Sequence, residues 1–236
     1  MSAVAAPSVY AGGASVIAVG VLLAEFGMFR QALLRDQVRL YAAQSALISV
    51  LAILVAAVRH LPELYVLAAL SAGLKVVCVP VVLRRLLRGI GAGRTGEVDP
   101  EPGWTEIAGS GSLSLANTVL LAIAVAAFGF FSVAALGIRS PVLPPTALAI
   151  SVSVALVAFV LMIMRRDVAS QAIGFLSLEN GISLTALVVA AGLPLFLEVA
   201  FLFDLLVAVV VFELLIRVHH GRAESLSTAD LTRLRG

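Results

Sequence analysis

Charge is what this chain has least of. Lysine, arginine, aspartate and glutamate make up 13% of its 236 residues, about half the usual quarter. Disorder is excluded, because it needs low hydrophobicity and high charge. A single cysteine, Cys78, excludes an internal disulfide framework. Three histidines and that one cysteine are too few for an all-protein zinc or iron–sulfur site. The chain has no phosphate-cradling glycine loop and no nucleophile elbow, so no catalytic constellation and no metal site is expected. Lysine and arginine are missing from Met1 to Gly13. A cleaved secretory signal needs a basic start, so the first apolar stretch is expected to be a permanent span. Aromatics are a modest 6%, yet 61% of the residues are hydrophobic, against about 45–50% in soluble domains. The excess is aliphatic, and it points to an integral membrane protein.

A hydrocarbon core of about 30 Å needs about 20 helical residues. Seven stretches qualify, near Val9–Phe29, Val38–Val58, Leu64–Leu86, Leu113–Leu136, Pro145–Met164, Ser170–Gly192 and Pro194–Ile216. Runs this long exclude a transmembrane barrel, whose strands alternate over about ten residues. The expected fold is all-α with about seven transmembrane helices. It divides into an N-terminal three-helix part (1–88), a glycine-rich loop (89–112), a four-helix part (113–217) and a tail (218–236). Trp104 in the loop is a candidate headgroup anchor.

Basic residues set the expected orientation. With the N-terminus outside, thirteen arginines fall on cytoplasmic segments and only Arg59 and Arg139 on outer ones. This asymmetry predicts an N-out, C-in protein of the cell inner (plasma) membrane. The partner it implies is a lipid bilayer, not nucleic acid.

Ionisable groups deep in a bilayer are costly, so each is a functional candidate. Glu179, Asp204 and Lys75 lie nine to eleven residues into their spans, or about 15 Å at 1.5 Å per residue. A carboxyl there could accept and release protons near neutral pH, the chemistry of a relay. Ser183 shares a helix face with Glu179, Asn180 adjoins it, and Gln44 lies deep in span two. Ser71 shares the Lys75 face. Pro80 follows Lys75 by five residues, removes the bond to the Val76 carbonyl and should bend the helix. Glu25, Glu198 and Glu213 are secondary candidates. Glu25 is expected to snorkel or pair with Arg30, Glu198 to lie near the outer face, and Glu213 to pair with Arg217 at the i,i+4 spacing. Each of these acids could instead serve helix packing. There is also a faint internal echo. Span two follows Arg35-Asp36 and holds Gln44-Ser45; span six follows Arg166-Asp167 and holds Glu179-Asn180, one turn deeper.

The run Ile173-Gly174-Phe175-Leu176-Ser177-Leu178-Glu179-Asn180-Gly181-Ile182-Ser183-Leu184, preceded by Arg165-Arg166-Asp167, resembles the second-helix signature of subunit K of NADH:quinone oxidoreductase (complex I). Asp204, within Ala200–Leu206, falls where that family carries a second buried acid, there a glutamate. The first half, with Gln44–Leu47 and Lys75–Leu83, and the tail Leu231–Gly236 are similar to the hydrogenase-4 component E family. That family joins a K-like part to extra N-terminal helices. The long glycine loop and the aspartate at 204 depart from the pattern. The resemblance implies a non-catalytic membrane-arm subunit of a group 4 nickel–iron hydrogenase or complex I-like oxidoreductase complex. Nickel–iron and iron–sulfur centres would belong to peripheral electron-transfer subunits, with no cofactor in this chain. Its neighbours would be antiporter-like and quinone-module-like membrane subunits, and it would help couple electron transfer to proton or sodium movement. Two other readings are open at this point: a cation/proton antiporter component or stand-alone secondary transporter, and a membrane scaffold.

Overall fold

The computed structural model describes residues 8–31, 33–92, 115–137, 143–165, 167–190 and the isolated positions 206 and 210. The described residues are almost entirely helical: α1 (Ser8–Arg30), α2 (Leu34–Arg59), α3 (Pro62–Ser71), a π-helical segment (Ala72–Cys78), α4 (Val79–Ala92), α5 (Leu115–Leu136), α6 (Pro145–Met164) and α7 (Val168–Ala190). With α3, the π segment and α4 running on as one rod, six helices are long and apolar enough to cross a membrane. The seventh expected span, Pro194–Ile216, lies outside the described residues apart from Leu206 and Val210, which are helical.

Local chemistry sets the helix ends. His60 takes the left-handed conformation (φ 56°) past the end of α2, and the N–H groups of His60 and Leu61 both bond to the Ala56 carbonyl. Pro62 then opens α3 at a position that needs no N–H donor. Asp167 caps α7, its Oδ1 accepting from the Ser170 N–H at 2.6 Å. The helix therefore starts at Val168, two residues before the expected Ser170. α2 likewise begins a turn early, at Leu34, and α4 runs to Ala92, so residues 89–92 of the expected loop are helical. The rest of that loop, with Trp104, and the tail lie outside the described residues.

The two expected parts do not pack apart. α1 lies against α2 and α6, α2 against α3, the π segment and α7, and α5 against α6 and α1. One apolar cluster takes Met28, Leu34 and Tyr41 from the first half and Leu161, Ile173 and Leu176 from the second. The closest packing is α6 on α7. A Cβ added at Gly181 would sit 2.7 Å from the Ala155 backbone nitrogen, and one at Gly174 would sit 3.0 Å from the Met162 Cα. Small residues at such contacts let membrane helices approach backbone to backbone.

Arg165 locks the two hairpins at one end. Its guanidinium donates to the carbonyls of Phe29 (2.8 Å), in the last turn of α1, and Gln31 (3.2 Å), just past it, where a helix end leaves carbonyls without intrahelical partners. The first turns of α2 and α7 carry a matching side-chain bond. Gln37 Nε2 donates to the Gln31 carbonyl, and Gln171 Nε2 to the Arg165 carbonyl, each across six residues. Measured from these glutamines, Gln44 comes seven residues on and Glu179 eight. The one-turn offset suggested by the Arg-Asp landmarks disappears, and the two polar positions share a depth.

Candidate functional site

Six buried polar residues, Glu25, Gln44, Ser45, Lys75, Ser177 and Asn180, converge on one place between α1, α2, the π segment and α7. Lys75 is 2% exposed. Its Nζ lies 2.5 Å from Glu179 Oε2, an ion-pair contact off the line of a hydrogen bond. The same ammonium donates to Ser183 Oγ at 2.9 Å and Asn180 Oδ1 at 3.3 Å. Ser183 in turn donates to Glu179 Oε1 at 3.0 Å. One serine thus accepts from the cation and donates to the anion.

Backbone geometry places Lys75 there. Proline 80 has no N–H and its ring crowds the carbonyl four residues back. The rod answers by widening over Ala72–Cys78, where the Val79 N–H bonds five residues back to the Leu74 carbonyl. Next to Pro80, where a bend was expected, the backbone carries a π turn, a feature common at functional sites, and Lys75 sits at its centre.

From Lys75 the network crosses to α2 and α1. Asn180 Nδ2 donates to Gln44 Oε1 (2.9 Å) and Ser45 Oγ (2.8 Å). Gln44 Nε2 donates to Glu25 Oε2 at 2.8 Å. Ser177 Oγ lies within reach of both Glu25 Oε2 and Gln44 Oε1, and its one proton serves one of them at a time. Glu25 Oε1 has no hydrogen-bond partner among the described residues. The link from Lys75 to Glu25 therefore runs through two amides. Amides pass on charge through the orientation of their dipoles, whereas the hydroxyls of Ser177 and Ser183 can exchange protons.

α7 serves both sides of this network because its polar residues lie on two faces. Ser177 and Asn180, three residues apart, are fully buried against α2. Glu179 and Ser183, four apart, meet Lys75. On that side a cavity of about 70 Å3 runs along Ser71, Ala68, Leu67 and Leu64, between α2 (Ile48, Ser49, Ala52) and α7 (Ser183, Ala186, Leu187), with Lys75 and Glu179 at its floor.

The structure thus brings together Lys75, Glu179, Asn180, Ser183 and Gln44 of the expected site. Glu25 differs from its expectation. It is fully buried and bonded to Gln44 and Ser177, not turned toward Arg30. The polar groups of α2 and α7 offer it satisfied hydrogen bonds inside the bundle, which outweigh the reach of a surface arginine. Asp204, Glu198 and Glu213 lie outside the described residues. Ser177 and Ser45 join the site without having been singled out. The available signal was the stripe Ile173, Ser177, Asn180, Leu184, spaced three or four apart and buried throughout.

No protein-family model and no solved structure matches the chain. It is similar to an uncharacterized protein of Mycobacterium tuberculosis, Rv0085, with 43% identity over 84 residues. That stretch covers 35% of this chain and 36% of the relative, so the chain spans about a third of the protein it matches.

Proposed function

We propose that this chain is a non-catalytic membrane-arm subunit of a hydrogenase- or complex I-like respiratory complex, where it helps couple electron transfer in partner subunits to proton or sodium movement across the plasma membrane. The Lys75–Glu179 pair carries this reading. A lysine and a glutamate are held in contact deep in apolar helices, at a π turn, with a serine bridging them and a cavity above them. Buried ionisable pairs of this kind are costly and mark ion paths. The pair exchanges protons, Ser183 steadies both partners, and Asn180 and Gln44 transmit the pair's charge state to Glu25. Asp204 is the proposed next acid in the lateral path. Nickel–iron and iron–sulfur centres belong to the partner subunits. A cavity of about 70 Å3 is far below the several hundred Å3 of an organic-ligand pocket, which argues against a transporter of organic solutes.

The test replaces Lys75 and Glu179 together by glutamine in the native complex. The reading expects normal assembly and lost ion coupling. Unchanged coupling refutes it. Loss of assembly supports the second reading, a scaffold, which is favoured by Lys75 having three partners on α7 alone.

A further inference from the structure

The cavity above the ion pair is one-sided. Along the π segment and α3 its lining climbs from Lys75 through Ser71 and Ala68 to Leu64, eleven residues or about 16 Å of helix. On α7 it climbs from Glu179 through Ser183 to Leu187. Every lining residue lies at the depth of the pair or nearer the Pro62 end. In the other direction, among the described residues, the bundle is filled by Tyr41, Leu176 and Ile173, all at most 1% exposed.

Water fits this space. A volume of about 70 Å3 exceeds the roughly 10–15 Å3 needed to admit a water molecule. Apolar cavities stay dry, and wet ones offer each water several polar partners. The floor supplies them in the Ser71, Ser183, Lys75 and Glu179 side chains. The Glu179 side chain is 17% exposed, although its Oε2 is closed off against Lys75 and has no hydrogen-bond partner among the described residues. A hard metal cation is served less well. Such ions need several converging oxygens with a surplus of negative charge. The single carboxylate here is neutralised by an ammonium 2.5 Å away.

We infer that this cavity is a water-filled vestibule that supplies protons, not metal cations, to the Lys75–Glu179 pair from the Pro62 side alone. This rests on the ion-coupling reading and names its ion. Water in the vestibule protonates the Glu179 carboxylate, or takes a proton from the Lys75 ammonium. Each step breaks one N–H or O–H bond and forms one O–H bond.

The test places single cysteines in the full chain, in its native membranes, with Cys78 changed to alanine. Ser71→Cys and Leu67→Cys probe the vestibule, and Ala172→Cys probes the closed side. Ag+ is added to sealed vesicles of each orientation. Thiols it has capped fail to take up a maleimide after denaturation. Capping at 71 and 67 is expected from the Pro62 side only, on the order of tenfold or more faster than at 172, because reactivity follows solvent access. Exchanging choline for excess Na+ should leave the rate unchanged. No capping at either vestibule site, or equal capping from both sides, overturns the vestibule. Protection by Na+ overturns the assignment to protons. Capping requires no turnover, so one-sided capping alongside unimpaired coupling in the double-glutamine variant would sink the coupling reading and leave the vestibule standing.

Discussion

Removing one partner of the Lys75–Glu179 pair should cost far more than removing both. At 2.5 Å and an effective dielectric of about 20, the attraction is about 7 kcal/mol. Desolvation of two charges offsets most of it. The single variants Lys75→Gln and Glu179→Gln each leave one buried charge without its counter-ion, at a typical cost of about 3–5 kcal/mol. The 17% exposure of the Glu179 side chain puts these sites at the low end of that range. In the double variant both charges are gone, and the two amides can still bond to Asn180 and Ser183. Its stability should return to within about 1 kcal/mol of the parent, a coupling of about 5 kcal/mol, above the usual range of about 0.5–3 for contacting residues. The assay is thermal loss of the monodisperse, detergent-solubilised full chain. At about 2–4 °C per kcal/mol for a chain of this size, each single variant should fall by roughly 6–12 °C and the double by a few degrees at most. Additive losses, with the double falling as far as the two singles together, would refute the claim that the pair is energetically coupled.

Three further outcomes are expected. Gly181→Val drives a side chain into the Ala155 backbone and should cost about 1–3 kcal/mol as an overpacked contact; Gly73→Ala, with nothing within 4 Å, should be neutral or slightly stabilising in the same melting assay. Asn180→Leu removes the donor to Gln44 and Ser45 and an acceptor for Lys75, so the melting point should drop by the equivalent of about 1–3 kcal/mol per stranded group. Arg165→Ala frees the carbonyl of Phe29 and leaves that of Gln31 with only the Gln37 amide, and amide hydrogen exchange in the last turn of α1 should quicken while that of α3 stays as it was.

The sequence by itself determined the class and most of the helices. A span needs only length and apolarity, and both are local, so Pro145–Met164 is found where it was expected. Capping is less visible: Asp167 and Leu33 start their helices earlier than hydropathy alone suggests, because a helix can begin before its apolar run does. Lys75, Glu179 and Gln44 were legible as candidates because charge and amide groups stand out in an aliphatic chain. Which of them touch was not legible. Lys75 and Glu179 are 104 positions apart, and their contact depends on how α7 rotates against the π segment. Glu25 shows the limit most clearly. Counted along α1 it lies near a helix end and a surface arginine, yet its side chain turns inward to Gln44 and Ser177. The tertiary structure decided that, because only packing of α1 against α2 and α7 brings the donors of two other helices to that carboxylate.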